Sequence, residues 1–235
     1  MINYKPYGVK IGDKHSFDDF NLIMTSKKIS EPEPQLNIVE VPGASSVIDL
    51  SEVVAGHVTY KPRKIELTFQ TKVEPIRQAM FQSSLNEYWN GNENKFIFDD
   101  DAAYYWIGRP VVKFSNKGRL VNVSVDAQID PFKYDIIGTD EDWEWDPFDF
   151  ETGYIQGGSD VEIVGEGSVF ILGRTKQTYP IIRASAPMTV TFLGTTYQLR
   201  AGINRMYDII IRKGENELIF KGDGNVTVNY RGGLL

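Results

Sequence analysis

Only one stretch of this 235-residue chain carries a helical period. From Val73 to Asn90 the sequence VEPIRQAMFQSSLNEYWN sets Ile76, Ala79 and Met80 near Phe81, Leu85, Tyr88 and Trp89 at three- and four-residue spacings. That spacing predicts an amphipathic helix whose Met and aromatic stripe faces a core. Pro75 suits its first turn, where a missing N–H is no loss, and Gly91 suits its end. The remaining signals are for strands. Gly56–Tyr60, Lys64–Thr71, Arg109–Phe114 and Leu120–Ile129 carry β-branched and aromatic residues in rough alternation, and Asn116-Lys117-Gly118 reads as a hairpin connection.

Past Phe132 the composition changes. Thr139 to Glu151, TDEDWEWDPFDFE, holds seven acidic residues and no basic one, so its like charges favour an extended linker. Trp143, Trp145, Phe148 and Phe150 would pin such a linker to a neighbouring surface; a metal site is the alternative reading of the carboxylates. From Tyr154 onward strand signals resume at Val161–Val164, Ser168–Leu172, Tyr179–Ala184, Met188–Phe192, Thr195–Leu199, Tyr207–Ile211, Glu217–Phe220 and Asn225–Tyr230. Turns are expected at Lys213-Gly214-Glu215 and Asp223-Gly224-Asn225. The expected organisation is mainly β: an N-terminal sandwich or barrel-like domain with one helix over residues 1–137, an acidic aromatic linker over 138–151, and an antiparallel β-sandwich over 152–235.

Composition narrows the function classes. A formal net charge of −7 opposes a general attraction to nucleic acid or anionic lipid, and the basic pairs Lys27-Lys28, Arg63-Lys64 and Arg212-Lys213 are scattered. The chain has no cysteine, which removes disulfides, thiolate metal sites and cysteine nucleophiles, and His15 and His57 are its two histidines. No signal-peptide core stands at the start, and no run of about 18 apolar residues follows. A protein made and folded in the cytoplasm, without a membrane anchor, is expected.

Sites for chemistry are scarce. Gly165, Gly167 and Gly173 have the wrong spacing for a dinucleotide fingerprint. Asp99-Asp100-Asp101 lacks the glycine and terminal glutamate of a calcium loop and reads as an exposed turn. Two of the 32 acidic residues could in principle serve a glycosidase, but sequence spacing identifies no pair. No catalytic residue, metal ligand or cofactor is assigned, and the chain is expected not to be an enzyme. Val41-Pro42-Gly43 forms a sharp turn between Leu36–Val41 and the apolar patch Val47–Leu50, either a protruding hairpin suited to contacts between subunits or an internal turn.

In order along the chain stand Asp19-Phe20 with Leu22, Pro32-Glu33-Pro34, Val41-Pro42-Gly43, Ile48-Asp49-Leu50, then Tyr60 and Arg63, then the helix and FIFDDDAAYYWIGR from Phe96 to Arg109. This series resembles the opening of distal tail proteins from long, flexible-tailed phages and prophages of Gram-positive bacteria. Asn21 departs from the glycine usual in that family's "DFGL"-like element. The resemblance covers roughly the first 135 residues well, and VTVNYRGGLL, Val226 to Leu235, looks like the family's closing strand, returning toward the N-terminal domain.

The resemblance implies a virion protein at the tail tip or baseplate, with the N-terminal domains building a hexameric ring and a galectin-like C-terminal domain at its periphery. The implied partners are further copies of the chain, the tail tube protein, the tape-measure protein, a tail-associated fibre or lysin, and receptor-binding proteins. Val41, Pro42, Gly43, Ile48 and Leu50 are the candidate oligomer-interface residues. The alternative is a carbohydrate-binding module for host cell-wall polysaccharide. The H-x-N-x-R signature of galectins is missing from the second half, and Trp106, Trp143 and Trp145 all precede it.

Overall fold

The computed structural model describes residues 6–40, 42–43, 46–53, 55–136 and 160–235, so the expected linker 138–151 lies outside the described residues. The chain divides into two compact units: residues up to Asp101 with Trp106–Pro131, and Ala102–Tyr105 with the described residues from Phe132 onward.

The first unit contains β1 (Val9–Ile11), β2 (Lys14–His15), β3 (Ile23–Ile29), β4 (Ile38–Val39), β5 (Ile48–Asp49), β6 (Arg63–Lys72), α1 (Gln78–Trp89), β7 (Asn94–Phe98), most of β8 (Tyr104–Lys117) and β9 (Leu120–Ile129). Its main sheet runs β2-β1-β7-β8-β9-β6-β3, with antiparallel pairings throughout. Strict alternation on β6 turns Arg63, Ile65, Leu67, Phe69 and Thr71 inward, and β9 answers with Val121, Val123, Val125, Ala127 and Ile129. One face therefore makes a core, and the other carries polar residues such as Thr68, Gln70, Asn122 and Ser124. The β8–β9 hairpin closes at Lys117↔Leu120, as the Asn116-Lys117-Gly118 signal predicts. Asn21 takes φ 52°, so asparagine supplies the left-handed conformation for which the resembling family uses glycine.

The helix exists but presents a different stripe. Pro75–Arg77 is a 3-10 turn, and Ile76 and Met80 are exposed, while Gln78, Leu85 and Trp89 are buried and Phe81 is half-buried. Gln78 fixes this rotation. Its Nε2 donates to the carbonyls of Gly118 at 2.6 Å and Val73 at 3.2 Å, and its Oε1 accepts from Asn116 Nδ2 at 2.9 Å. A polar side chain tied twice to the β8–β9 hairpin and once to Val73, just past β6, overrides the apolar pattern. Trp89, fully buried, meets Phe20 edge-on at 5.3 Å and Phe69 at 6.1 Å.

The sheet curls until β3 returns to the β7 end, where Lys27 crosses over. Its ammonium lies 2.7 and 2.9 Å from the Asp100 carboxylate oxygens, 2.9 Å from Tyr7 Oη and 4.4 Å from the Phe98 ring centre. Burial pushes the Asp100 carboxyl up, but hydrogen bonds from Lys27 and Tyr7 outweigh it and hold the group below its ordinary value. Burial and the neighbouring Asp100 push the Tyr7 hydroxyl up, so it stays neutral and donates. Because the folded-state value of Asp100 lies below the unfolded one, its contribution is complete above the ordinary carboxylate pKa of about 4 and fades as pH falls through the folded value. Asp100→Asn is expected to lower the melting temperature at pH 7 and to narrow its gap from the parent as the pH drops below that range, as read by thermal melts across pH.

The second unit holds β10 (Lys133–Asp135), β11 (Val161–Gly173), β12 (Ile181–Ala184), β13 (Met188–Phe192), β14 (Thr195–Leu199), β15 (Gly202–Arg205), β16 (Gly214–Asn229) and β17 (Gly233–Leu234). The sheet order is β14-β13-β16-β12-β15, with β11 alongside β16. The first half of β16 pairs with β13 and the second with β12, so the sheet folds over a core that includes Ile171, Val190, Phe220 and Val228. The fold is thus mainly β, antiparallel and in two parts.

Three expectations need correction here. Asp223-Gly224-Asn225 is not a turn between two strands but a corner within β16. Gly222 and Gly224 take φ 138° and 142°, and a Cβ would stand 2.8 Å from Met188 Cβ at the first and 2.5 Å from Ser185 Oγ at the second. Val161–Val164 and Ser168–Leu172 merge into β11 across Gly165 and Gly167. Tyr207–Ile211 forms no strand apart from an Ile211 bridge to Thr178; Gly202–Arg205 takes the edge beside β12 instead. Likewise, in the first unit, Gly56–Tyr60 yields only the Tyr60 bridge to Pro34.

Candidate assembly surface

Between β3 and β6 the chain leaves the first sheet as a two-legged arm. The legs are held by a sparse ladder: Lys61 N donates to Glu33 O at 2.9 Å, Gln35 N to Thr59 O at 2.8 Å and Leu50 N to Asn37 O at 2.8 Å. Farther out, Ile38 pairs with Asp49 and Val39 with Ile48, making a two-stranded sheet of its own. Asp49 Oδ1 accepts from Ser51 N at 2.9 Å, and hydrogen bonds from the Ser51 hydroxyl and amide hold its carboxyl below the ordinary value. Ser51 Oγ in turn accepts from Asn37 N at 2.7 Å. These bonds set the register of the outer legs.

The root is anchored by Arg63. It is 8% exposed, with Nε donating to Ser30 O at 2.6 Å and its guanidinium 4.7 Å from the Trp106 ring centre. Burial pushes its pKa down. Ser30 and Lys64, where the arm departs and returns, bond reciprocally: Ser30 N to Lys64 O and Lys64 N to Ser30 Oγ, both at 2.9 Å.

Most apolar residues on the arm lack the cover that the core residues have. Leu36 is 57% exposed, Ile38 48%, Val39 41%, Val47 53%, Ile48 49% and Val53 70%. Since neighbours on a strand point to opposite faces, Ile38 and Val39 make both faces of the ribbon apolar. An isolated two-stranded ribbon is marginal in water, and among the described residues no further strand joins this one. Exposed β-branched residues on both faces are a surface built to be covered.

Of the residues singled out from sequence, Pro42 and Gly43 occupy an exposed turn, Gly43 with φ 85° and no neighbour within 4 Å of an added Cβ. Ile48 sits on β5 opposite Val39, and Leu50 is half-buried beside it. Val41 lies outside the described residues. The protruding hairpin, not the internal turn, is the form observed. Sequence reading gave Leu36–Val41 as one leg of the hairpin but left Leu36, Ile38 and Val39 out of the candidate residues, and it missed Val53 and the anchoring role of Arg63. The available signal was the density of apolar residues in a stretch bounded by prolines at 32, 34 and 62.

No known protein-family profile matches the chain, and no curated protein sequence matches it. Its structure matches the crystal structure of SPP1 Dit (gp 19.1), described as a paradigm of the hub adsorption apparatus in Gram-positive infecting phages. The match has 12% sequence identity and a TM-score of 0.65, and it covers 98% of this chain and 100% of that one. The distal-tail resemblance found in the first half of the sequence thus falls on a protein whose fold the whole chain shares.

Proposed function

We propose that the chain is a structural, non-enzymatic hub at the distal end of a phage tail. The likeness to SPP1 Dit over nearly all of both chains carries the reading, and the exposed arm supplies a physical means of assembly. In this reading six copies close a ring through a heterologous contact repeated by rotation, each arm covering its apolar faces on the next copy. Pro42, Gly43, Ile48 and Leu50, with Val41, belong to that contact. The ring joins the tail tube to the tail-associated fibre or lysin and to the receptor-binding proteins, with the tape-measure protein as a further partner. The second unit, galectin-like in this reading, stands at the ring's periphery.

Chain closure through a repeated interface stabilises each copy by mass action, which suits a cysteine-free protein that works outside the cell. Light scattering on a sizing column, with negative-stain imaging, tests the reading. The expected species has six times the 26.6 kDa chain mass, about 160 kDa, and shows rings with a central hole. Compact monomers at every concentration, both alone and with the tail tube protein, would overturn the ring.

A further inference from the structure

We infer that the β12–β15 face of the second unit binds an acidic polysaccharide. On this face the side chains of three strands line up in register. Ile181 stands between Arg205 and Asn229, and Arg183 between Ile203 and Thr227. Just beyond, Tyr179 and Tyr207 extend the same two rows and pack together, ring centres 4.6 Å apart at 55°. Ile181, Arg183, Ile203, Arg205, Thr227 and Asn229, with Asp160 at the margin, line a cleft of about 490 Å³. That volume is within the range of small-molecule clefts.

Three features select the ligand. First, the tyrosines are solvent-facing, 38% and 61% exposed, yet held against each other, so they offer rigid aromatic area to an apolar sugar face with little entropy to lose. Second, Arg183 and Arg205 are exposed and neither has an ion-pair partner among the described residues. They are diagonal neighbours on adjacent strands, about 7 Å apart by sheet geometry, and a guanidinium presents a planar fork suited to carboxylate or phosphate. Third, the carboxylate among the lining residues, Asp160, is held at the margin: it accepts from Asn225 Nδ2 at 2.9 Å, while its own N–H donates to Thr227 Oγ1 at 3.2 Å. Two guanidiniums against one carboxylate give the residues lining the cleft a net positive formal charge, in a chain whose formal net charge is −7. Asn229 and Thr227 supply neutral groups for hydroxyls.

The row from Tyr179 to Arg183 spans about 13 Å at the usual strand rise, enough for roughly two or three sugar units. A polymer of sugars bearing acid groups fits this order, with its rings on the tyrosines and its charges on the arginines. The ligand class does not depend on ring assembly, because every residue of the cleft belongs to the second unit.

The test uses the full chain flowing over three immobilised polymers: a glycosylated poly(ribitol phosphate), a polyuronate and uncharged dextran. Binding to at least one acidic polymer, absent on dextran and weakened by added salt, is expected. Tyr207→Ala and the pair Arg183→Ala with Arg205→Ala should each weaken it at least tenfold while leaving the melting temperature and the sizing profile unchanged. Lys213→Ala, a basic substitution outside the cleft, should have no effect. Failure to bind either acidic polymer, equal binding to dextran, or binding that survives both sets of substitutions would overturn the assignment. Loss of the ring with retained polymer binding would overturn the hub reading alone.

Discussion

Ile48→Asp is expected to abolish the proposed ring while leaving the monomer folded. Ile48 is half exposed in the single chain, so the substitution removes little internal packing, and surface changes of this kind usually alter stability by about 0.5 kcal/mol or less. At each interface the effect is much larger. Burying a carboxylate where an isoleucine should dock forfeits the transfer energy and adds a desolvation penalty, together about 3 kcal/mol or more per contact, or at least ~100-fold in affinity. Closure repeats the defect at every junction. Sizing with light scattering should therefore show a ~27 kDa species in place of the large one, with a nearly unchanged melting temperature.

A second variant separates the arm's role from that of any single side chain. Gln35 N bonds to Thr59 O, so the legs are close enough there for a two-residue Asn-Gly turn to replace everything beyond. The shortened chain keeps Ser30, Arg63 and the β3–β6 pairing, and should remain a folded monomer. A ring formed by either variant would remove the arm from the assembly.

The arm also shows how far the sequence can be read. Pro42-Gly43 with the apolar patch after it revealed a sharp turn, because turn chemistry is local. Whether that turn protruded depended on whether anything packed against it, which is a tertiary fact. The same limit explains the helix. Its existence was legible from the period of Val73–Asn90, but its rotation was set by Gln78 bonding to backbone on a hairpin some 40 residues away, and no apolar pattern records that.

In the second unit, short strands and their approximate places were legible from β-branched runs. Continuity was not. Glycines that normally end strands instead bend β16 at Gly222 and Gly224, because the corner needs a backbone without a Cβ and the sheet on either side keeps its pairing. The cleft was invisible for a different reason. Tyr179, Arg183, Arg205, Tyr207 and Asn229 are scattered over 51 positions, and only the register of β12 with β15 and β16 gathers them. Attention to tryptophan as the aromatic platform pointed away from the tyrosines that occupy that face.

Arg231-Gly232-Gly233, within the segment read from sequence as a closing strand, packs around a buried ion pair. Arg174 and Asp135 are 9% and 15% exposed at the side chain, with Nη2 to Oδ1 at 2.8 Å and Nε to Oδ2 at 3.2 Å. A Cβ at Gly232 would collide with both residues, which is why glycine stands there. Arg174 N also donates to Tyr230 Oη at 2.9 Å. Burial pushes the Asp135 carboxyl up, and Arg174 pulls it back only part of the way.

Arg174→Leu should therefore destabilise the second unit by about 3–5 kcal/mol at pH 7.5, because it takes from a desolvated carboxylate its hydrogen-bonded cation and leaves it only the charges of Arg231 and Lys133. The pH dependence identifies that cause. Without Arg174, the folded-state pKa of Asp135 rises further above its unfolded value, so the neutral acid is favoured in the folded unit. Stability in this variant is then fullest below the unfolded carboxylate pKa of about 4 and is lost as pH rises through the folded value. The deficit should shrink as the pH is lowered toward 4, whereas a deficit from lost packing alone would be the same at both ends. Arg174→Leu combined with Asp135→Leu should recover most of the loss at pH 7.5, since replacing both charges with apolar groups removes the stranded carboxylate. Denaturant titration of the parent, Arg174→Leu, Asp135→Leu and the double variant at two pH values completes the cycle, and a double variant as unstable as Arg174→Leu would mean that the side chains matter here for their shape rather than their charge.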